Sequence, residues 1–442
     1  QSKQVNSPLD SPLIVKVVDP SGVGIPNITV TFAISNYPDG ATGQALSASS
    51  SATDTNGQAQ VSLTLGTRTG NYKVVASTGS LTPVEFTATA TPGGPYKVVL
   101  TGPVAVKAGE TSTVFTLSVQ DSEGNNAPVT SSTVFSLTQS PARASGGFYS
   151  QSDGTGVITS LTLAEGSATG SFYYKDTSTG TANLVATRTS GQALTVAASV
   201  PKTVTIMPAD AYRFTVTGST GVLATGAART LTLTAYDNQG NVKNDYTGDV
   251  NVVFSGASAS PSPSAKKATC SNKSSQDIDF GLSTTLAFVN GVATTNVKVY
   301  KAEGVSLKAK SGVVDTAAED ALSFTVKHGV ASHLKFGADL PSPQVAGTEF
   351  NFDTTLDVVD RYNNICDGAN GATVYEGSKD ITWTLSGASN GPENGTDVFV
   401  GNVSFAAGRS TTLLKATLFR AQTTTINAGI AALTGVNVAS NP

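Results

Sequence analysis

Residues 231–242 read LTLTAYDNQGNV, an alternation of apolar and polar residues that runs into a turn led by Asp237. Alternation with a period of two is typical of a strand with one buried and one wet face, and Asp, Asn and Gly favour tight turns. A second alternating strand follows as far as Ser255. The same order of strand, Asp-led turn and strand recurs in residues 13–34 around Asp19, 115–137 around Asp121 and 352–385 around Asp360.

These four turns are spaced like a tandem repeat. The leading Asp residues recur at intervals of 102, 116 and 123 residues, close to the size of one β-sandwich domain. A turn glycine that is followed 18 to 20 residues later by an alanine near the end of a strand also occurs four times, at Gly57, Gly166, Gly291 and Gly408. We therefore expect four tandem β-sandwich domains, called modules 1 to 4, at residues 1–93, 94–208, 209–329 and 330–442.

The composition favours many short strands and turns. Of 442 residues, 44 are Gly and 19 are Pro, and no segment of ten or more residues has a helical period. Charged residues make up 13% and the formal net charge is -4, a field too weak to hold nucleic acid. No run of about 18 apolar residues occurs, so we expect no direct membrane insertion. Because the chain starts at Gln1 without an apolar leader, we expect a mature, processed or excised segment.

Short connectors separate the predicted modules. They occupy residues 92–95, 207–210 and 327–330. Connectors of three or four residues cannot let neighbouring domains tumble freely. The sequence therefore predicts that the modules follow one another as an elongated, semi-rigid rod.

Several segments resemble bacterial immunoglobulin-like (Big) domains of the invasin and intimin type, which occur in tandem in surface proteins. Module 1 has PLIVKVVDPSGVGIPNITVTF at residues 12–32, TDTNGQAQVSLTLG at 53–66 and GNYKVVAS at 70–77. Module 3 is more divergent, with YRFTVTG at 212–218 and NGVATTNVKVY at 290–300. The resemblance implies immunoglobulin-like sandwiches and an extracellular stalk, adhesin or coat component of a bacterium.

Modules 3 and 4 depart from the family pattern by longer loops. We expect a long loop at residues 261–285 in module 3 and another at residues 367–379 in module 4. Residues 261–275, called the polar segment, carry three clustered lysines, which favours a solvated loop; contact with an acidic glycan or a neighbouring subunit is the alternative.

The Asp-led turns also offer oxygen atoms for a calcium ion, which takes about six to eight oxygen ligands. The candidate ligands in module 3 are Asp237, Asn238, Asn241, Asp245 and Asp249. Those in module 4 are Asp360, Asn363, Asn364 and Asp367. Asp and Asn are also ordinary turn residues, and the spacing matches no sharp calcium-loop motif, so a purely structural turn is the alternative. No other cofactor is predicted.

Two cysteines, Cys270 and Cys366, are expected at the junction of modules 3 and 4. In an immunoglobulin-like sandwich the loop after strand B faces the preceding domain and the loop after strand C faces the following one. Cys366 follows strand B of module 4 and Cys270 follows strand C of module 3, so we predict a disulfide between them. The alternatives are two unpaired thiols, or a zinc site completed by the only histidines, His328 and His333.

The sequence offers little equipment for catalysis. It has two histidines, no Gly-framed Ser elbow and no His-Glu metal motif, so we predict no catalytic residue and no enzyme. The preferred hypothesis is a non-enzymatic stalk or adhesin segment at the bacterial cell surface. Its partner is expected to be a ligand on a host or neighbouring cell, or another copy of the chain.

Two other hypotheses remain open at this point. The first is a self-assembling subunit of a surface layer or extracellular filament, since low net charge permits close lateral packing. The second is an accessory carbohydrate-binding array, which needs an exposed aromatic platform. Against the second, we expect the single tryptophan, Trp383, to be a core residue of module 4.

Overall fold

The computed structural model describes residues 1–386 and 395–433. Its regular structure is almost entirely β, and the sole helical element among these residues is a 3-10 helix at Ala369–Gly371. β-branched residues at alternating positions favour strands over helices, which explains this outcome. Within the described ranges, no helix has the length and apolarity needed to span a membrane. The predicted all-β, immunoglobulin-like sandwich class is confirmed.

The chain divides into two compact units, Gln1–Ala209 and Asp210–Pro442. The strands of the first unit are β1 (Ser2–Gln4), β2 (Leu13–Lys16), β3 (Thr29–Asn36), β4 (Ala45–Leu46), β5 (Ser50–Ala52), β6 (Gln58–Val61), β7 (Leu63–Thr64), β8 (Gly70–Ser77), β9 (Val84–Thr91), β10 (Lys97–Thr101), β11 (Ala105–Lys107), β12 (Phe115–Gln120), β13 (Thr133–Ser140), β14 (Gly146–Tyr149), β15 (Val157–Ile158), β16 (Ser160–Leu163), β17 (Thr169–Asp176), β18 (Gly180–Ser190) and β19 (Lys202–Met207).

The second unit continues the numbering. Its strands in module 3 are β20 (Ala211–Gly218), β21 (Leu223–Ala224), β22 (Ala228–Asp237), β23 (Gly248–Ser255), β24 (Thr269–Ser271), β25 (Asp277–Asp279), β26 (Ser283–Phe288), β27 (Val292–Lys298), β28 (Gly304–Ser311), β29 (Val314–Asp315) and β30 (Leu322–Lys327). Those in module 4 are β31 (Ala331–Phe336), β32 (Glu349–Asn351), β33 (Leu356–Asp360), β34 (Gly377–Asp380), β35 (Thr382–Ser386), β36 (Val398–Phe399), β37 (Asn402–Ala406), β38 (Arg409–Ser410), β39 (Lys415–Thr417) and β40 (Thr425–Gly429).

The first unit contains two hydrophobic clusters, one from residues of module 1 and one from residues of module 2. In module 1 the sheet order is β1-β9-β8-β3-β5, and β2 pairs with β6. Phe32 and Tyr72 from the larger sheet meet Leu13 and Val61 from the smaller one in a single cluster. Both strand sets bury alternate side chains, so this core forms between two faces, as in a sandwich.

Module 2 has two sheets with the orders β10-β12-β17-β14-β15 and β11-β19-β18-β13-β16. The rings of Phe115 and Phe172, on neighbouring strands of the first sheet, stack at a centroid distance of 5.3 Å. They share a cluster with Phe135 and Leu184 from the second sheet. The hydrophobic cluster of this module is therefore filled from both sheets.

The second unit also has two clusters, one from residues of module 3 and one from residues of module 4. In module 3, Phe214 on β20 and Phe288 on β26 stack at 5.7 Å. In module 4, Trp383 on β35 packs with Phe399 at 5.4 Å and donates from Nε1 to the carbonyl of Val400 at 2.7 Å. Trp383 thus packs against the core cluster, as expected for this residue.

Two expected loops contain regular structure. Residues 261–285 include β24, β25 and the first part of β26, and β24 pairs with β27 through Cys270 and Val297. Residues 367–379 include the 3-10 helix and the start of β34. The prediction of one long loop at 261–285 was wrong because backbone pairing with an existing sheet overrides a weak local strand preference.

Candidate functional site: two junctions between modules

All four Asp-led turns share one hydrogen-bond pattern. In the turn of Asp121, Oδ1 accepts the backbone N–H of Glu123 at 3.0 Å and that of Asn125 at 2.8 Å. The other three leading carboxylates accept the amides two and four positions later in the same way. Gly124, at φ 87°, supplies the left-handed backbone position of this turn. An Asp carboxylate at or shortly after the end of a strand therefore closes each turn.

Junction A connects modules 1 and 2. It is formed by residues 67–69, 92–95 and 121–125. The Oδ2 atom of Asp121 accepts the N–H of Gly93 in the connector at 2.9 Å. Asn125 reaches module 1, because its Nδ2 donates to the carbonyl of Thr67 at 2.9 Å and its Oδ1 accepts the N–H of Thr69 at 3.2 Å. The Asp and the Asn together clamp the connector and a loop of the preceding module.

The Asp121 carboxylate is buried at this clamp, with 1% of its surface exposed. Burial raises its pKa, but the hydrogen bonds donated by the Asn125 side chain, by Gly93 and by the turn amides outweigh burial. The resulting pKa lies below the ordinary value of 3.8. The ionised carboxylate is thus the form that the junction stabilises.

Junction B connects modules 3 and 4. It is formed by residues 225, 261–268, 300–302, 327–330, 333 and 360–371. Asp360 Oδ2 accepts the N–H of Gly329 in the connector at 2.8 Å. Asn364 Nδ2 donates to the carbonyl of Tyr300 at 2.9 Å, and its Oδ1 accepts the N–H of Ala302 at 2.8 Å. The donors and acceptors match those of junction A one by one.

Junction B has contacts that junction A lacks. The rings of Tyr300 and Tyr362, one from each module, lie 4.8 Å apart, and Lys266 Nζ lies 4.2 Å from the centre of the Tyr300 ring. Asn363 Nδ2 donates to the carbonyl of Pro263 at 2.7 Å. The polar segment of module 3 therefore contacts module 4 at this junction.

Both histidines lie at junction B. His328, in the connector, is 4% exposed. Its Nδ1 lies 2.7 Å from the carbonyl oxygen of Gly329, and its Nε2 accepts the N–H of Gly368 at 3.2 Å. His333 Nε2 lies 2.9 Å from Oδ1 of Asn363. The ring nitrogens of His328 thus have protein partners on both sides.

The two cysteines are free thiols, so the predicted disulfide was wrong. Cys270 belongs to the core of module 3, with Sγ 3.1 Å from Oγ1 of Thr295. Cys366 belongs to the core of module 4. Burial raises the pKa of both thiols to about 12. Because Cys270 lies on β24 rather than in a free loop, its side chain enters the core of module 3. The two thiols therefore belong to different cores, and this placement also contradicts the zinc alternative, which needs both of them.

The candidate calcium ligands of module 3 have other partners. Asp237 accepts hydrogen bonds within its own turn, including one from Asn241 Nδ2 to its Oδ2 at 3.0 Å. Asp245 pairs with Lys243 at 3.0 Å, and Asp249 pairs with Lys273. The remaining candidate, Asn238, accepts a bond from its neighbour Gln239. The structure gives Asp237 a turn role and places the other two carboxylates in ion pairs.

The candidate ligands of module 4 are also engaged. Asp360 and Asn364 form the clamp, Asn363 contacts the polar segment, and Asp367 Oδ1 accepts the N–H of Ala369 at 2.9 Å. Across residues 1–386 and 395–433, no group of three or more His, Cys, Asp or Glu side chains is placed to hold a metal ion. The partners of Asp360, Asn363 and Asn364 include backbone groups of the connector and of module 3, whereas Asp367 bonds within its own segment.

Sequence reasoning missed the role of the residue four positions after each leading Asp. Asn occupies this position after Asp121, Asp237 and Asp360, whereas Val23 occupies it after Asp19. An Asn at the same position in three turns is the signal from which the clamp could have been predicted, because its side chain has both an NH2 donor and a carbonyl acceptor. In module 1 the turn keeps its internal bonds, but Val23 has no side-chain hydrogen-bonding group.

No protein-family model and no curated protein matches this sequence. Among solved structures, the chain is similar to invasin, a bacterial integrin-binding protein, with 16% identity over 100% of this chain and 77% of invasin, and a TM-score of 0.35. It is similar to the Escherichia coli adhesin FdeC, with 16% identity over 79% of this chain and 99% of FdeC, and a TM-score of 0.37. For Yersinia pseudotuberculosis InvD the identity is 15% over 73% of this chain and 94% of InvD, and the TM-score is 0.32. At these similarities, conclusions about function rest on the residues of this chain.

Proposed function

We propose that this chain is a non-enzymatic structural segment of a bacterial surface protein, a stalk or adhesin segment made of four sandwich modules. The observation that carries the proposal is the repeated Asp–Asn clamp, which holds connector and preceding module at both junction A and junction B. Domains that bind ligands independently do not need fixed junctions. A protein that holds a ligand-binding site at a distance needs them, because free rotation between modules would shorten its reach.

The clamps act by removing the rotational freedom that a short connector still leaves. Each backbone residue has two soft dihedral angles, so three or four free residues allow neighbouring domains to rotate. At junction A, three partly buried hydrogen bonds that involve Asp121 and Asn125 fix the connector and the loop at Thr67. With a net contribution of about 1 kcal/mol for each bond, their sum of about 3 kcal/mol favours one orientation by roughly two orders of magnitude.

The extracellular location is part of the same proposal. It is supported by the resemblance of residues 12–32 and 53–66 to surface-protein domains and by the low charge of the chain. A ligand on a host or neighbouring cell is the partner that a stalk or adhesin segment requires. Self-association into a layer or filament is the competing role.

Spin labels test the clamp in the full chain. Labels at Thr31→Cys in module 1 and Thr181→Cys in module 2 occupy exposed strand positions, and the native thiols are buried. A narrow distance distribution is expected by pulsed electron spin resonance, and Asn125→Ala should broaden it because the Thr67 carbonyl and Thr69 amide lose their partner. The matched control is Asn71→Ala, which removes an exposed bond to Thr89 within module 1 and leaves the clamp atoms in place.

Two results would contradict the proposal. One is a broad distribution in the unmodified chain, since the modules would then rotate despite the clamp. The other is an equal width in the Asn125→Ala and control proteins. Ordered sheets or fibres of the purified chain in negative-stain electron microscopy would favour the layer or filament role instead.

A further inference from the structure

The partners of His328 fix one state of its ring. Nδ1 lies 2.7 Å from the carbonyl oxygen of Gly329, an atom that can only accept, so Nδ1 carries the hydrogen. Nε2 lies 3.2 Å from the backbone nitrogen of Gly368, a group that can only donate, so Nε2 is the acceptor. The contact between connector and module 4 therefore requires the neutral ring with its hydrogen on Nδ1.

Few other polar contacts join residues 368–371 of module 4 to β30. Lys327 and Asn370 each donate one bond of 3.4 Å across the junction, which is long for a hydrogen bond. A cavity of about 370 Å³ lies beside the ring, between residues 327–331 and 372–375. Water can therefore reach a contact that depends chiefly on one imidazole nitrogen.

Uptake of a second proton by the ring breaks this contact. A protonated Nε2 is a donor, and it would face the N–H of Gly368, which is also a donor. Histidine is the side chain whose charge ordinarily changes between about pH 5 and pH 8. Loss of the Gly368 bond leaves the segment that leads into the 3-10 helix with the two longer contacts alone.

Several charged and titratable groups lie near the ring. Lys327 precedes His328 in the connector, Asp360 accepts the N–H of Gly329, and Asp367 precedes Gly368, the residue that donates to Nε2. Cys366 and Tyr375, on the same side of module 4, are neutral at these pH values because burial raises the pKa of each. One ammonium group and two carboxylates therefore lie next to His328 or next to its partners Gly329 and Gly368.

We propose that His328 is a proton-sensitive latch at junction B. At neutral pH it fastens residues 367–375 to the connector, and below neutral pH its protonation releases them. The connector of junction A, Pro-Gly-Gly-Pro at residues 92–95, has no titratable side chain and stays closed over the same range. This inference concerns the junction itself and holds whether the chain serves as a stalk or as an assembly subunit.

Hydrogen exchange of the full chain at about pH 7.5 and about pH 5 tests the latch. After correction for intrinsic rates, peptides covering residues 366–375 should exchange at least about fivefold faster at the lower pH, the effect of losing one hydrogen bond. Peptides covering residues 92–95 and 121–125 should not change. His328→Gln keeps an acceptor near the position of Nε2 but cannot be protonated, so it should remove the pH response.

His333→Gln is the matched control, because it removes the other histidine at the same junction and should keep the response. No acceleration in the unmodified chain, or equal acceleration in His328→Gln, would overturn the proposal. Nitrogen chemical shifts give a second measurement that is independent of the variants. They should identify the Nδ1–H form of His328 at neutral pH, and an Nε2–H form would contradict the geometry from which the latch follows.

Discussion

Junctions A and B have the same clamp but different surroundings. In each, an Asp accepts a connector amide and an Asn exchanges two bonds with the preceding module. Junction B adds the Tyr300–Tyr362 contact, residues 261–268 of the polar segment and the His328 ring. The comparison indicates that the clamp is the common mechanical element, and that the additional contacts set how strongly and under which conditions it holds.

The difference between the junctions starts in their connectors. Residues 92–95 are Pro-Gly-Gly-Pro, which offer no polar side chain, so only backbone groups and the clamp can act there. Residues 327–330 are Lys-His-Gly-Val, and the Lys and His both contact module 4. A glycine donates the connector amide in both cases, at Gly93 and Gly329, where a side chain would meet the Asp carboxylate at 3.4 to 3.6 Å.

Removal of the junction B carboxylate should have the largest effect. Asp360→Ala deprives five donors of an acceptor, among them the amide of Gly329 and the hydroxyl of Thr225. Because Asp360 is fully buried, we expect the free energy of unfolding of this region to fall by about 3 kcal/mol. Fluorescence of Trp383, the single tryptophan, reports unfolding of module 4 in urea.

Asp19→Ala is the matched comparison, since this Asp makes the same turn bonds where solvent reaches them. It should leave the Trp383 transition unchanged. An Asp360→Ala protein with the midpoint of the unmodified chain would show that the clamp contributes nothing to module 4.

The aromatic contact should account for the next largest difference between the junctions. Tyr362→Ala removes the ring that lies 4.8 Å from Tyr300 and leaves the clamp atoms in place. We expect a loss of about 1–2 kcal/mol, the usual value of an aromatic pair with its partly buried area. A double-mutant cycle with Asn364→Ala separates the two contributions, and a coupling energy near zero would show that ring and clamp act independently.

The features that could be predicted from sequence are those that depend on residues close together in the chain. Strand alternation and Asp-led turns depend on neighbours a few residues apart, so the fold class and the turns at Asp121 and Asp360 could be predicted. The clamp joins Asn125 to Thr67 and Asn364 to Tyr300, more than fifty residues away in each case. The disulfide prediction was wrong for the same reason. No local pattern fixes the register of β24, and this register places Cys270 in the core of module 3.

Acid should loosen junction A only at low pH. The pKa of Asp121 in the folded chain is lowered below its ordinary value of 3.8, so its contribution is complete above about pH 3.8 and is lost as the pH falls through the folded value. Chemical unfolding of the first unit between pH 6 and pH 2, followed by circular dichroism, measures this slope. Asp121→Asn keeps the shape without the charge and should flatten the slope; an unaltered slope would exclude this carboxylate as its source.

The smallest effect is expected from the surface contact of junction A. Arg68 donates from Nη1 to the carbonyl of Glu123 at 3.2 Å, and the contact is exposed to solvent. Since water competes for both groups, Arg68→Ala should change the free energy of unfolding by less than about 0.5 kcal/mol and leave the spin-label distance distribution narrow. If Arg68→Ala broadened that distribution as much as Asn125→Ala does, junction A would be held by its exposed rim. The Asp–Asn clamp would then not be what fixes the orientation of the modules at junction A.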